Sequence, residues 1–286
     1  QWQWTAAGLV CAGVSVFLSA WRWWVVLRPQ VPAARFGDAL HATFVAGFFN
    51  ITSLGTIGGD AYRVIAIKQR HPGTAAGTGM SIVVDHIAGV LATAVLFFGL
   101  GIVALYQWPD NASGIRSVLV GFTLFFVLAS IGMVGSVLTL SPPFLRWAGR
   151  ISPRLVNLPF VQKTAHTFDP LWSSWRASLL AVAISLVMSS LYFASFYCGL
   201  RAVGGEAPLL SVLMAMPIVD VAAALPISVS GLGVREKTFE TLMAVFVGLP
   251  EATSVLASLA GWLFTVCWGL LGGLLFVSRS RRSEER

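Results

Sequence analysis

Two short polar stretches hold the residues best suited to chemistry. In Asn50–Arg63, Asp60 and Arg63 lie three positions apart and follow glycines at 55, 58 and 59. In 226–236, Gly231 and Gly233 precede Arg235 and Glu236, with Lys237 and Glu240 just beyond. Asp60 and Arg63 can share one helix face, as can Glu236 and Glu240. An arginine presents a planar fork of donors that matches phosphate. A helix starting just after a glycine break adds free N–H groups and the positive end of its dipole, a setting for an anion. Arg63 and Arg235 are therefore candidate phosphate ligands. Asp60 and Glu236 either balance those arginines in the empty site or bind a cationic part of the substrate. The competing reading is that Asp60–Arg63 and Arg235–Glu236 are ion pairs that hold broken helices together.

Other ionisable groups lie inside apolar runs. Asp85, next to His86, and Asp220 are candidate partners across the core, or proton-relay groups. Arg22 is expected to snorkel toward Arg28. No metal or cofactor is expected: His41, His71, His86 and His166 lack metal-ligand spacing, and no nucleophile elbow or phosphate loop is present. Cys11, Cys198 and Cys267 read as small core or lipid-facing residues.

These residues must be positioned by a membrane protein. Of 286 residues 56% are hydrophobic and 11% charged, against about 25% charged in a soluble domain. The net charge of +7 reads as loops on the positive side of a membrane rather than a nucleic-acid surface. The chain begins with Gln1, so an earlier span is expected to precede it. Spans are expected at 5–27, 77–106, 118–140, 177–200 and 252–277. Phe36–Phe49 reaches only about 21 Å as a helix, short of a hydrocarbon core of about 30 Å. Ala61–Ile67 returns from it. Arg28 and Arg35 precede this unit and Lys68 and Arg70 follow it, so both ends belong on the cytoplasmic side. The unit is then a re-entrant hairpin. Pro208–Leu225 and Thr238–Gly248 form a second one.

Thirteen of the 19 Lys and Arg residues fall on the cytoplasmic side of this layout, with the C-terminus. Arg116 and Arg201 fall outside, and Arg22, Arg63, Arg235 and Lys237 within the membrane or at its edge. The expected fold is an all-α polytopic membrane protein, one transmembrane domain over 1–286. Repeat one (5–106), a linking span (118–140), a cytoplasmic interfacial linker (141–176) and repeat two (177–277) follow in order. The first hairpin dips from inside and the second from outside. That is an inverted-topology repeat with two re-entrant hairpins meeting near mid-membrane, where such folds bind substrate.

At the two tips the sequence resembles the lysylphosphatidylglycerol synthase transmembrane region, a flippase-like family. The resemblance rests on Asn50 with Gly58-Gly-Asp-Ala-Tyr-Arg63, on Leu225-Pro-Ile-Ser-Val-Ser-Gly-Leu-Gly-Val-Arg-Glu236, and on Trp21-Arg-Trp-Trp24. It implies a polytopic protein of a bacterial or archaeal cytoplasmic (inner) membrane. Members are linked to flipping aminoacylated phosphatidylglycerol, and others accompany glycolipid, polyprenyl-linked sugar or hopanoid pathways. Asp60, Arg63, Arg235 and Glu236 match its motif positions. His86 departs from the Asp-Arg the family commonly has at Asp85-His86. No soluble aminoacyl-transfer domain follows, so the chain is expected to be the transport module. The expected function is a lipid translocase for an anionic phospholipid or polyprenyl- or glycolipid headgroup, with a lipid-modifying enzyme as a candidate partner. The alternatives are a membrane-embedded enzyme or accessory subunit of lipid modification, and a proton-coupled small-anion transporter using Asp60, Asp85 and Asp220.

Overall fold

The computed structural model describes residues 1–53, 56–107, 112–138, 142–152, 158, 174–225 and 227–284. Gly55, residues 108–111, most of the expected linker and Pro226 lie outside them. The helices are α1 (Trp2–Leu27), α2 (Phe36–Thr52), α3 (Ile57–Arg70), α4 (Ala75–Gln107), α5 (Ala112–Leu138), α6 (Pro142–Ile151), α7 (Trp175–Ala202), α8 (Leu209–Ala224), α9 (Val234–Val247) and α10 (Glu251–Glu284). Among the described residues there is no strand.

Four helices are long and apolar enough to cross a membrane: Trp2–Leu27, Ala75–Gln107, Trp175–Ala202 and, within α10, Glu251–Ser278. Their outer faces expose Val10, Val95, Leu263 and Leu274 among other large apolar side chains. That surface suits hydrocarbon, not water. The protein is an integral membrane protein. α5 occupies the place of the expected linking span, with an apolar run at Arg116–Gly132. α6 opens the expected linker, exposing Phe144, Trp147 and Ile151.

α2 and α3 form a tight antiparallel hairpin. Tyr62 stacks on Phe49 at 5.2 Å, and further along Arg70 reaches Asp38 at 2.5 Å. α2 ends at Thr52 and α3 starts at Ile57, so Gly58 and Gly59 lie inside α3 rather than in a break. Neither adopts a left-handed conformation. What they supply is the absence of a side chain. A Cβ on Gly59 would lie 2.8 Å from the Ala46 carbonyl oxygen, and one on Gly58 would lie 2.8 Å from the Ser53 Cβ. Glycine sets how closely α3 lies on α2, a rule familiar from membrane helix pairs.

α8 and α9 form the second hairpin. Its turn does use backbone freedom: Ser230, Gly231 and Gly233 have φ of 54°, 73° and 81°. Gly231 sits against Ala223, where a Cβ would come within 2.9 Å of the Ala223 carbonyl oxygen. Each hairpin has its own packed core. Val219, Met216, Phe239 and Met243 belong to one cluster, and Ala39, Ala42, Ala66 and Ile67 to the other. α10 is held to the first hairpin through Gly269 and Gly272, which meet Gly47 and Phe44 of α2.

Candidate anion site at the two hairpin tips

The tips touch. The Ser230 N–H donates to the Ser53 carbonyl at 3.2 Å. Beside this contact lies a cavity of about 230 Å³, lined by Asn50 and Thr56 from the first tip, Asp220, Ser230 and Arg235 from the second hairpin, and Trp262 of α10. Tyr192 of α7 and Thr265 of α10 also border it.

Arg235 is the cation of this cavity and only 7% exposed. Its Nη2 donates to the Ser230 carbonyl at 2.8 Å, and its guanidinium lies 6.0 Å from the Trp262 ring centre. Among the described residues its Nη1 is buried with no partner. The Trp262 indole N–H donates to Ser230 Oγ at 3.2 Å, so Ser230 holds both cavity residues in place. A buried charged donor left without an acceptor is costly. Arg235 lines the cavity, so an anion there would lie beside its guanidinium. Asp220 faces the same space and forms no ion pair with Arg235 among the described residues.

The other charged residues form a separate network. Asp85, 1% exposed, takes both arms of Arg22, Nε at 2.7 Å and Nη2 at 2.9 Å, and Nη1 of Arg63 at 3.3 Å. Arg22 also donates to Ser185 Oγ at 3.0 Å, and the Arg63 guanidinium lies 4.9 Å from the Trp23 ring centre. Asp60 is 3.9 Å from Arg63 and 3.4 Å from His86 Nε2. Thr56 Oγ1 donates to Asp60 at 3.2 Å and carries the network to the cavity wall. Two arginines on one carboxylate leave an excess positive charge, and Asp60 offsets it. His86, in place of the expected arginine, is the last member of this chain.

The eight expected site residues therefore divide. Asn50, Asp220 and Arg235 line the cavity. Asp60, Arg63 and Asp85 build the network, and Arg63 is not among the cavity residues. Glu236 caps α9: its Oε2 accepts the Gly233 N–H at 2.5 Å, and among the described residues it forms no ion pair with Arg235. Lys237 pairs with Glu240 on the surface.

Two expectations need correction. Arg22 does not snorkel; it is 8% exposed because Asp85 and Ser185 satisfy it inside the bundle. The hairpin N-termini are not open anion sites either. Gly58 and Gly59 donate to Ser53 Oγ and Asn50 Oδ1, and Gly233 to Glu236, so their own side chains fill those donors. Sequence reading missed Ser230, Trp262 and Tyr192. Trp262 had a usable signal, since tryptophan far from either end of a span departs from its interfacial preference.

The chain matches the family described as Lysylphosphatidylglycerol synthase TM region over residues 1–275. It belongs to that family. The match takes in both tips, the Arg22–Asp85–Arg63 network and Trp262. Membership supports a lipid-related role in a membrane. No curated protein and no solved structure matches the chain.

Proposed function

We propose that this chain is a lipid translocase that moves an anionic phosphate headgroup, of a phospholipid or a polyprenyl- or glycolipid, between leaflets. In this reading α2–α3 and α8–α9 are re-entrant hairpins of an inverted repeat, entering from opposite sides of the inner membrane, with the C-terminus cytoplasmic. The observation that carries it is buried Arg235, whose Nη1 has no partner among the described residues, on the wall of a cavity at the meeting of both tips.

The tips also favour a lipid over a water-soluble anion. Ile57, Leu225, Ile227 and Val229 are 64%, 48%, 68% and 49% exposed. A path for a hydrated solute would be rimmed with polar groups. Exposed apolar side chains at the tips, near a pocket that holds an arginine and an asparagine, suit acyl chains outside and a headgroup inside. Arg235 takes the phosphate, with Asn50 and Thr56 as polar partners. Asp220 balances Arg235 in the empty cavity, or receives the cationic part of an aminoacylated headgroup. Asp60, Arg63 and Asp85 hold the first tip in position, Glu236 fixes the start of α9, and Lys237 stands apart. Parting of Ser53 from Ser230 as one repeat rocks against the other opens the cavity toward the opposite leaflet. A lipid-modifying enzyme is the fitting partner, because the family is named for the membrane region of a synthase.

The test is reconstitution of the purified chain in vesicles with labelled phosphatidylglycerol. Acceleration of headgroup exchange supports the translocase. Conversion of the lipid to a new product without exchange supports the enzyme reading instead.

A further inference from the structure

A second groove lies far from the tips, where the end of α1 meets the start of α7. It encloses about 590 Å³ and is walled by Trp21, Trp24, Arg28, Pro29, Arg176 and Leu180. Arg28 and Arg176 are both exposed, and neither forms an ion pair among the described residues. Among the described residues no carboxylate lines the groove. Each guanidinium lies near an indole, Arg28 at 5.7 Å from Trp24 and Arg176 at 5.6 Å from Trp175. A cation on a ring face keeps its in-plane N–H fork free for an anion.

The walls are fixed rather than adaptable. The Trp24 indole N–H donates to the Ala34 carbonyl at 3.3 Å, and its ring packs edge-on against Phe36 at 5.8 Å. Pro29 stiffens the floor. The first turn of α7 borders the groove. The Ala177 N–H donates to the Ser174 carbonyl at 2.8 Å, which starts α7 beside the groove. The groove therefore joins two forked cations to an apolar wall of Trp21 and Leu180.

We propose that this groove is a standing site for one anionic phospholipid, its phosphodiester bridging Arg28 and Arg176 and an acyl chain lying along Trp21 and Leu180. It goes beyond the transport site and holds whether or not the tip cavity carries lipid. The apolar wall commits the site to a lipid rather than to free phosphate. The pair of cations commits it to an anionic rather than a zwitterionic headgroup.

Native mass spectrometry of the delipidated full chain, titrated with phosphatidylglycerol, tests the assignment. Arg28→Gln/Arg176→Gln should lose one bound lipid, or bind it at least about tenfold more weakly, because two charge-assisted contacts go. Arg235→Gln should keep that lipid, which separates this site from the tip cavity. Phosphatidylcholine should not fill it, and millimolar inorganic phosphate should not displace the bound lipid. Tryptophan-fluorescence melting checks that the double variant is folded. An unchanged lipid count and affinity in the folded double variant would overturn the proposal, as would equal filling by phosphatidylcholine or displacement by phosphate.

Discussion

The Ser230 N–H donates to the Ser53 carbonyl at 3.2 Å, joining the two hairpin tips through main-chain atoms. Ser230 is also where Arg235 and Trp262 are anchored. Any movement that separates the tips must therefore disturb the residues that line the cavity. The contact couples the two halves of the site through one residue.

That coupling predicts a lock. A main-chain hydrogen bond holds the two backbones side by side, which places cysteines at these positions to approach each other for a disulfide. With Cys11, Cys198 and Cys267 replaced by serine, Ser53→Cys/Ser230→Cys should oxidise to a disulfide. Headgroup exchange should stop in the oxidised protein and return on reduction. Undiminished exchange in the fully oxidised protein would show that the tips need not part.

Asp85 holds the two buried arginines, Arg22 and Arg63. Asp85→Asn keeps the shape and removes the charge, leaving both cations buried without their carboxylate. The expected loss of stability is about 3–5 kcal/mol, read from denaturant unfolding in detergent micelles. Arg22→Lys should cost less, since one ammonium keeps the charge but cannot reproduce the two-armed contact. A wild-type midpoint for Asp85→Asn would show that the network is not structural.

Gly59→Val tests the close approach of α3 to α2. The new side chain would meet the Ala46 carbonyl and the Asn50 side chain. Overpacking of this kind costs about 1–3 kcal/mol and would displace Asn50 from the cavity. Gly37→Ala is the control, because a Cβ there meets nothing within 4 Å. Equal melting temperatures for the two variants would contradict the packing argument.

The far end of the first hairpin depends on pH. Burial pushes the Asp38 carboxyl up, but hydrogen bonds from the Arg35 N–H, Arg70 and His71 outweigh it and hold the group below its ordinary 3.8. A carboxylate depressed in this way stabilises the fold fully above its ordinary value, and the contribution is lost as pH falls through the depressed value. Stability measured from pH 3.8 downward should fall more gently in Asp38→Asn than in the wild type. Parallel curves would remove Asp38 from the acid response.

Much of this arrangement was readable from residues alone. Charge on both flanks of 36–67, with too few residues for a span, was enough to suggest the first hairpin, and Arg70 on Asp38 shows its ends together. Arg235 stood out as an ionisable group beside glycines in an apolar chain. The partners of these residues were less accessible. Arg22 and Asp85 are 63 positions apart, and their pairing depends on how α1 and α4 pack. Gly58 and Gly59 looked like helix breakers because glycine serves both backbone freedom and close approach, and sequence does not distinguish the two uses. Ser230 was hidden because much of its role rests on main-chain atoms and a left-handed φ, which a serine does not announce, and its hydroxyl partner Trp262 is 32 positions away.

The central claim is that Arg235 receives the phosphate, and headgroup exchange in proteoliposomes tests it most directly. Fluorescent phosphatidylglycerol reduced from outside reports how fast inner-leaflet lipid reaches the outer face. The wild-type chain should accelerate that exchange well above protein-free vesicles. Arg235→Gln, folded and reconstituted to the same density, should fall to the protein-free rate, with Arg235→Lys between them because it keeps the charge and loses the fork. Exchange at the wild-type rate in Arg235→Gln would contradict the account.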